Sequence, residues 1–403
     1  MMKILVFNAG SSSLKFGVFD MIRSDARIFK GEYSRFSEGR CQLDITVGGE
    51  DGEAVTRTEA LTDIDVAIGH VPYILREYGL SDFDAVGHRI AHGGERFHEA
   101  AVIDDAVLAD IEACTPLAPL HNPANLAALR LARACWPSIP HVAVFDTAFH
   151  HTIPESATTY AVPKAWRDVG LRRYGFHGTS HKYVALRAAQ ALGKPIAELK
   201  LISCHLGNGA SVCAINRGFS ADTSMGMTPL EGLMMGSRSG DVDPGIFGFL
   251  KRELGLDAEA VEESLYHDSG LKAFTGSHDL RDGEAKAAAG DTEAQLGISL
   301  YAGRVRKYIG AYAASMGGLD ALIFTGGIGE HSPSMRRRIC DRLAFLGLQL
   351  DDMKNQSVAL KGFDAPQIQS YDAKVAVIVT QTAEQWMIAK EVLQLLAKPS
   401  AAK

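Results

Sequence analysis

Two segments built on one plan, one at the start of the chain and one half-way along it, limit what this sequence can fold into. Residues 4–20 read Ile-Leu-Val-Phe-Asn-Ala-Gly-Ser-Ser-Ser-Leu-Lys-Phe-Gly-Val-Phe-Asp, two apolar runs separated by a polar, glycine-containing turn. Residues 201–216 repeat that order, with His205-Leu-Gly-Asn-Gly-Ala-Ser211 set between two further apolar runs. Each pattern predicts a pair of antiparallel strands joined by a turn. Small side chains, hydroxyls and exposed N–H groups in such a turn are donors for phosphate oxygens. Lys15 stands where a flexible ammonium reaches a terminal phosphate, and Asn8 where an amide meets a metal or its water shell. A single turn of this type reads as an ordinary polar hairpin. Its repetition shifts the reading toward a phosphate clamp with two jaws.

The chain has 403 residues, room for two compact domains, with 46% hydrophobic and 22% charged residues, as in a soluble globular protein. A net charge of −7 gives no electrostatic case for nucleic acid, and the short run Arg336-Arg337-Arg338 reads as a solvated helix face. Met1-Met2-Lys3 leads straight into a strand-length apolar run, without the features of a signal peptide. No window reaches the ~20 apolar residues of a membrane span. Six scattered cysteines without metal-type spacing read as reduced thiols, so a cytoplasmic protein is expected. His150-His151 has no second ligand pair near it in sequence and is read as structural.

Strand-like runs at 85–90, 141–145, 201–204, 211–216, 321–324 and 375–379 alternate with helix-length segments at 124–135, 181–192, 258–263, 291–315 and 383–396. That alternation predicts an α/β protein. Two halves, each opening with a hairpin, would face each other across a cleft holding a polyphosphate. The last helix would pack back on the first half. The expected domains are 1–148, completed by 385–403, and 149–384.

Gly326-Gly-Ile-Gly329-Glu-His follows the run Ala321-Leu-Ile-Phe-Thr, so a buried strand is expected to end in a glycine turn open to close ligand approach. Neither the Walker A pattern nor the dinucleotide fingerprint occurs, which excludes the two commonest nucleotide sites. Arg89 in Gly-His-Arg-Ile-Ala-His-Gly-Gly and Arg238 in Gly-Ser-Arg-Ser-Gly-Asp are bracketed by glycines and small polar residues, as where a loop holds a guanidinium against an anion. An ion pair of Arg238 with Asp241 or Asp243 is the equal alternative. Asp146 ends a strand, where α/β folds border ligands. His177, between aromatic and glycine neighbours, is a candidate donor to a charged oxygen, though a lone histidine is more often structural.

Taken together, Asn8–Lys15, Gly87–Gly94, Ala118–Pro123, Phe145–His150, Tyr174–His181, His205–Ser211, the long run Asp222–Pro244 and Phe324–Glu330 resemble the acetokinase family, in order and over nearly the whole chain. The resemblance implies a duplicated ribonuclease H-like fold of the actin and sugar-kinase superfamily, two domains about a central cleft, and a homodimer. It implies reversible phosphorylation of acetate by ATP, with Mg²⁺ or Mn²⁺. Carried over, Asn8 and Glu384 are linked to the metal. Lys15, His205, Leu206, Gly207, Asn208, Gly209, Asp279, Leu280, Arg281, Gly327, Ile328, Gly329, Glu330 and His331 contact ATP. Arg89 binds the carboxylate, Asp146 is the catalytic acidic residue, and His177 and Arg238 stabilise the transition state. A carboxylate acceptor with a pKa of ~4–5 is already ionised at neutral pH. Asp146 is therefore assigned to positioning the metal or substrate rather than to proton abstraction.

Two departures from the family pattern carry expectations. Residue 91 is alanine where the family usually has valine, in a position resembling the acyl-methyl pocket with Leu120, Phe176 and Pro229. The smaller side chain enlarges that pocket, so propionate is expected as a second substrate, and a propionate-preferring member of the family is the near alternative. Near the C-terminus Thr380-Gln-Thr-Ala-Glu-Gln-Trp replaces the usual Pro-Thr-Asn-Glu-Glu-Leu around Glu384. A sugar or other hydroxyl kinase would need a catalytic base in the acceptor pocket. An actin-like ATPase would hydrolyse ATP slowly, indifferent to acetate.

Overall fold

Apolar residues on both faces of a short strand demand cover on both sides, and this is what organises the N-terminal sheet. The structure is a computed structural model that describes residues 2–10, 13–21, 26–37, 39–49, 52–119 and 121–398. The chain divides into two compact units, Met1–Phe149 with Ala383–Lys403, and His150–Thr382.

In the first unit β1 (Lys3–Ala9) pairs antiparallel with β2 (Leu14–Asp20), placing Asn8 opposite Lys15. The sheet extends on that side through β3 (Ala26–Ser37), β4 (Arg40–Val47) and β5 (Glu53–Glu59). On the other side β1 runs parallel to β6 (Ala85–Ile90), and beyond it lie β8 (His141–Phe145) and the two-residue β7 (Ala101–Val102). Leu5 and Phe7 pack on one face with helices Ile64–Glu77 and Asn122–Cys135. Ile4 and Val6 pack on the other with Ile388, Ala389 and Val392 of the closing helix Glu384–Ala397. Strict alternation within one apolar run thus fills two cores.

The second unit is built around β9 (Lys200–Leu206), antiparallel to β10 (Ala210–Asn216), with β11 (Phe219–Thr223) beyond it. On its other edge β9 runs parallel to β12 (Ala321–Thr325), which is followed by β13 (Ala376–Val379). The strand order, third-second-first-fourth-fifth, with the hairpin antiparallel and the crossover strands parallel, is also that of β3, β2, β1, β6 and β8. The repeated hairpin is therefore the centre of a repeated sheet. Helix Thr292–Met316, capped by Asp291 and ended by Gly317 in the left-handed region, lays Ile298, Tyr301, Val305 and Ile309 on this sheet.

Strands β3 to β5 were not legible as strands because their charged and polar residues interrupt the apolar pattern. Among the described residues no helix is long and apolar enough to cross a membrane.

Candidate functional site

Asn8 lies next to the end of β1, Arg89 near the end of β6 and Asp146 just after β8, so the parallel neighbours bring their carboxyl ends to one place. There Arg89 donates from Nε and Nη2 to Oδ2 of Asp146, at 2.8 and 2.5 Å, and from Nη1 to Oδ1 of Asn8 at 3.2 Å. Asn8 in turn donates from Nδ2 to Oε2 of Glu384, at 3.3 Å, at the first turn of the closing helix. Burial opposes the charged form of Arg89, but the Asp146 and Glu384 carboxylates outweigh it and its pKa is raised. Beyond these three bonds, two of the five guanidinium hydrogens have no partner among the described residues. Four side chains widely separated in sequence thus form one polar cluster.

Two buried asparagines brace this cluster from helix Asn122–Cys135. Asn125 accepts from the Ala91 N–H at 2.9 Å and donates to the Ala9 carbonyl at 2.7 Å, tying the end of β1 to the loop after β6. Asn122 accepts from the N–H of His92 and donates to its carbonyl, both at 3.1 Å. Their role was missed in sequence; the only available sign was two asparagines on the apolar face of a helix. Lys15 is half exposed and lies 3.7 Å from Glu32. Ala91 is buried. Leu120 lies outside the described residues.

In the second unit the turn Gly207-Asn208-Gly209 follows β9, and His177 sits just before helix Gly178–Leu192 with a left-handed φ of 57°. Its ring stacks on that of His205 with centroids 4.3 Å apart. A methyl group built on Gly209 would lie 3.6 Å from Nε2 of His177 and 3.7 Å from Nη1 of Arg238. Both groups therefore flank one small space above the hairpin turn. Arg238 donates to the Pro229 carbonyl at 3.2 Å and lies over the Tyr266 ring. Neither aspartate considered in the sequence pairs with it: Asp241 binds Gly232 N–H and Tyr308, and Asp243 binds Gly245 N–H. Among the described residues Arg238 has no carboxylate partner, and burial lowers its pKa. Phe176 is buried, and its carbonyl lies 2.9 Å from Nε2 of His150.

Beside the turn lies a cavity of about 390 Å³, lined by Gly207, Asn208, Asp279, Leu280, Arg281, Gly327, Ile328 and His331 together with His278, Glu284 and Ser332, which the sequence reading did not include. Arg281 clasps Asp279 with its side chain and backbone N–H, holding that carboxyl down at about 2. His205, Leu206, Gly209, Gly329 and Glu330 do not line this cavity. Leu206 is buried in the core. Glu330 instead accepts from the N–H groups of Gly326 and Thr382 at 2.9 and 3.0 Å.

The expected glycine turn at 326–331 is a six-residue helix. Gly326 opens it at a φ of 77°, with Leu206 backbone so close that a Cβ would fall 2.6 Å from its carbonyl oxygen, so only glycine fits. The reading of Arg336 as solvent-facing is also corrected: it is 1% exposed and donates to the carbonyls of Gly329, Glu330 and Asn355 and to Oδ1 of Asn355, at 2.8–2.9 Å. Desolvation pushes its pKa down to about 10. The arginine serves as an internal brace for the cavity wall, which no local pattern distinguishes from a surface charge.

Asn8, Asp146 and Glu384 present hard oxygen donors, the chemistry that magnesium or manganese accepts together with phosphate and water. Among the described residues no three His, Cys, Asp or Glu side chains group as a metal cage. That donor set suits an ion completing its shell from substrate phosphates.

The acetokinase family model matches residues 3–390. The acetate kinase of Carboxydothermus hydrogenoformans is 46% identical over 402 residues, covering 98% of this chain and 99% of that protein. The acetate kinase of Thermotoga maritima is 44% identical over 409 residues, covering 98% and 99%. Among solved structures, Porphyromonas gingivalis acetate kinase superposes with a TM-score of 0.89 at 41% identity, covering 98% of this chain and all of that one. A propionate kinase from Francisella tularensis gives a TM-score of 0.89 at 37% identity, covering 97% and 99%.

Proposed function

The chain belongs to the acetokinase family, and from that premise we propose that it is an acetate kinase, transferring the γ-phosphoryl group of ATP directly and reversibly to acetate to give acetyl phosphate and ADP. The observation that carries this reading is Arg238, a guanidinium with no carboxylate partner among the described residues, sharing with His177 the small space over Gly209. Phosphoryl transfer spreads negative charge over the equatorial oxygens, and fixed donors aimed at those oxygens supply most of the stabilisation.

The remaining roles follow from charge and placement. Arg89 binds the acetate carboxylate through its remaining hydrogens, and Asp146 holds Arg89 in position. No base is assigned, because the acceptor is ionised already. The cavity lined by Asn208, Asp279, Arg281 and Ile328 takes the nucleoside, with Gly207 and Gly327 admitting phosphate close to backbone and Lys15 meeting a terminal phosphate. Asn8 and Glu384 would hold Mg²⁺ or Mn²⁺, which offsets phosphate charge when bound. Ala91, Phe176 and Pro229 are assigned to the acyl end of the substrate. The alanine supports acceptance of propionate beside acetate.

We also assign a homodimer to the active protein. Helix Gly245–Leu254 buries none of its residues, and Phe249 and Leu254 on it are exposed, as is Val242 just before it. An amphipathic helix with its apolar side in water suits a second copy. Trapping acyl phosphate as its hydroxamate across acetate, propionate and butyrate tests the activity and the chain-length preference together.

A further inference from the structure

Two histidines over the second hairpin are each wired, through their inner nitrogens, into buried hydroxyl groups. Helix Gly178–Leu192 lies against β9. Ser211 Oγ, completely buried, is 2.8 Å from Nδ1 of His177 and 2.8 Å from Nε2 of His181. The other nitrogen of His181, Nδ1, is 2.6 Å from Oγ of Ser203, which is likewise fully buried. The four groups form one continuous chain: Ser203, His181, Ser211, His177.

A hydroxyl carries one hydrogen, and a neutral imidazole has one donor and one acceptor nitrogen. His181 is fully buried, and desolvation holds its pKa far below the ordinary histidine value, so it is neutral. The chain therefore has only two polarities. In the first, Ser203 donates to Nδ1 of His181, His181 donates from Nε2 to Ser211, and Ser211 donates to Nδ1 of His177. The His177 hydrogen is then on Nε2. In the second, every bond reverses and Nε2 becomes an acceptor.

The neighbouring histidine is wired in the same way. Thr382 donates from Oγ1 to Ser180 Oγ at 3.0 Å, and Ser180 Oγ lies 2.8 Å from Nδ1 of His205. A Ser180 hydrogen given to that nitrogen places the His205 hydrogen on Nε2 as well. Beyond Gly209, Arg238 brings a second donor to the space that Nε2 of His177 borders. Two donors directed at one point complement an anion, whereas an acceptor there would face the anion's own lone pairs.

We propose that Ser211, fed through His181 from Ser203, is a positioning residue that fixes His177 in the tautomer bearing its hydrogen on Nε2, so that His177 meets the transferring phosphoryl group as a ready donor. This rests on the role given to His177 above. The buried chain spares the enzyme from reorienting an imidazole during the reaction, the same advantage that a tautomer-fixing partner gives in hydrolytic triads.

The test is long-range ¹H–¹⁵N NMR on the full-length protein labelled with ¹⁵N-histidine, the resonances being assigned with His177→Gln and His181→Gln. Wild type is expected to show His177 with hydrogen on Nε2 only. Ser211→Thr, which retains the hydroxyl, is expected to preserve that tautomer, and Ser211→Val, of the same shape, to give a mixture. The kcat of the valine variant should fall at least ~10-fold below that of the threonine variant, with KM for ATP and acetate closely similar. Ser203→Ala acts from the far end of the chain and is expected to mix the tautomers as well, which keeps the test open if the valine variant fails to fold. Hydrogen on Nδ1 of His177 in wild type, a doubly protonated ring, or an undisturbed tautomer in the variants would overturn the proposal. Undiminished kcat in His177→Gln would instead overturn the role of His177 and leave the wiring intact.

Discussion

Arg89 gives two of its N–H groups to a single oxygen, Oδ2 of Asp146, at 2.8 and 2.5 Å. The carboxylate is 2% exposed and the guanidinium is held at the ends of two parallel strands. Such a pair fixes the arginine in direction as well as charge. It also accounts for an acidic residue in a reaction whose acceptor needs no deprotonation.

Asp146→Asn removes the charge but keeps one acceptor oxygen. Breaking a buried pair from one side costs about 3–5 kcal/mol, because the other charge is left uncompensated. We predict a loss of that order in urea unfolding, a rise in KM for acetate, and a fall in kcat of about 10²-fold. Unchanged stability with unchanged KM for acetate would mean that Asp146 does not hold Arg89 in solution.

Arg238 gives the clearest kinetic prediction, since among the described residues it donates to one backbone carbonyl and faces no carboxylate. Removing a strong transition-state donor costs about 3 kcal/mol, or ~10² in kcat. Arg238→Ala should show that loss, with KM for ATP little altered. Lysine should restore only part of it, because an ammonium lacks the planar fork. Steady-state kinetics in both directions are the measurement.

Ala91 is buried, and its N–H is pinned by Asn125. Ala91→Val adds two methyl groups' breadth without disturbing that bond. One methylene in an apolar pocket is worth about 1–3 kcal/mol of discrimination. The ratio of kcat/KM for propionate to that for acetate should therefore fall ~10-fold or more. A ratio that does not move would place the acyl chain elsewhere.

Acid should destabilise each unit by a known route. His92 in the first unit and His150 in the second are buried, and desolvation lowers both to about 4. An unfolded histidine titrates near ~6.5. Between those values the unfolded chain binds more protons than the folded one, so stability rises with pH across the window and is lost as pH falls through it. Each histidine contributes roughly 3 kcal/mol of that loss by pH ~4. Urea midpoints measured from pH 7 down to 4.5 should decline steadily, and a flat profile would show that neither ring stays neutral.

The hairpins, the two parallel neighbours at 85–90 and 141–145, and the long helix ending near Gly317 were readable because apolar residues recur there at fixed intervals. Strands β3 to β5 escaped notice because their ladders are held by backbone bonds under alternating charged residues such as Glu53, Arg57 and Glu59. In the site, glycine-bracketed arginines were visible from their neighbours in sequence. Asn125, Ser203 and the buried Arg336 were not, since each acts on backbone or side chains far along the chain. Local composition reports what an element can be. It does not report which distant carbonyl a buried donor will find.

The most direct measurement is ATP-dependent formation of acyl phosphate by the purified wild-type chain and by Arg238→Ala, trapped as the hydroxamate with acetate, propionate and butyrate. Wild type is predicted to give acetyl phosphate readily, propionyl phosphate measurably and butyryl phosphate poorly, and the variant to lose all three by about 10²-fold. ATP hydrolysis indifferent to any carboxylate, or an Arg238→Ala enzyme as active as wild type, would contradict it.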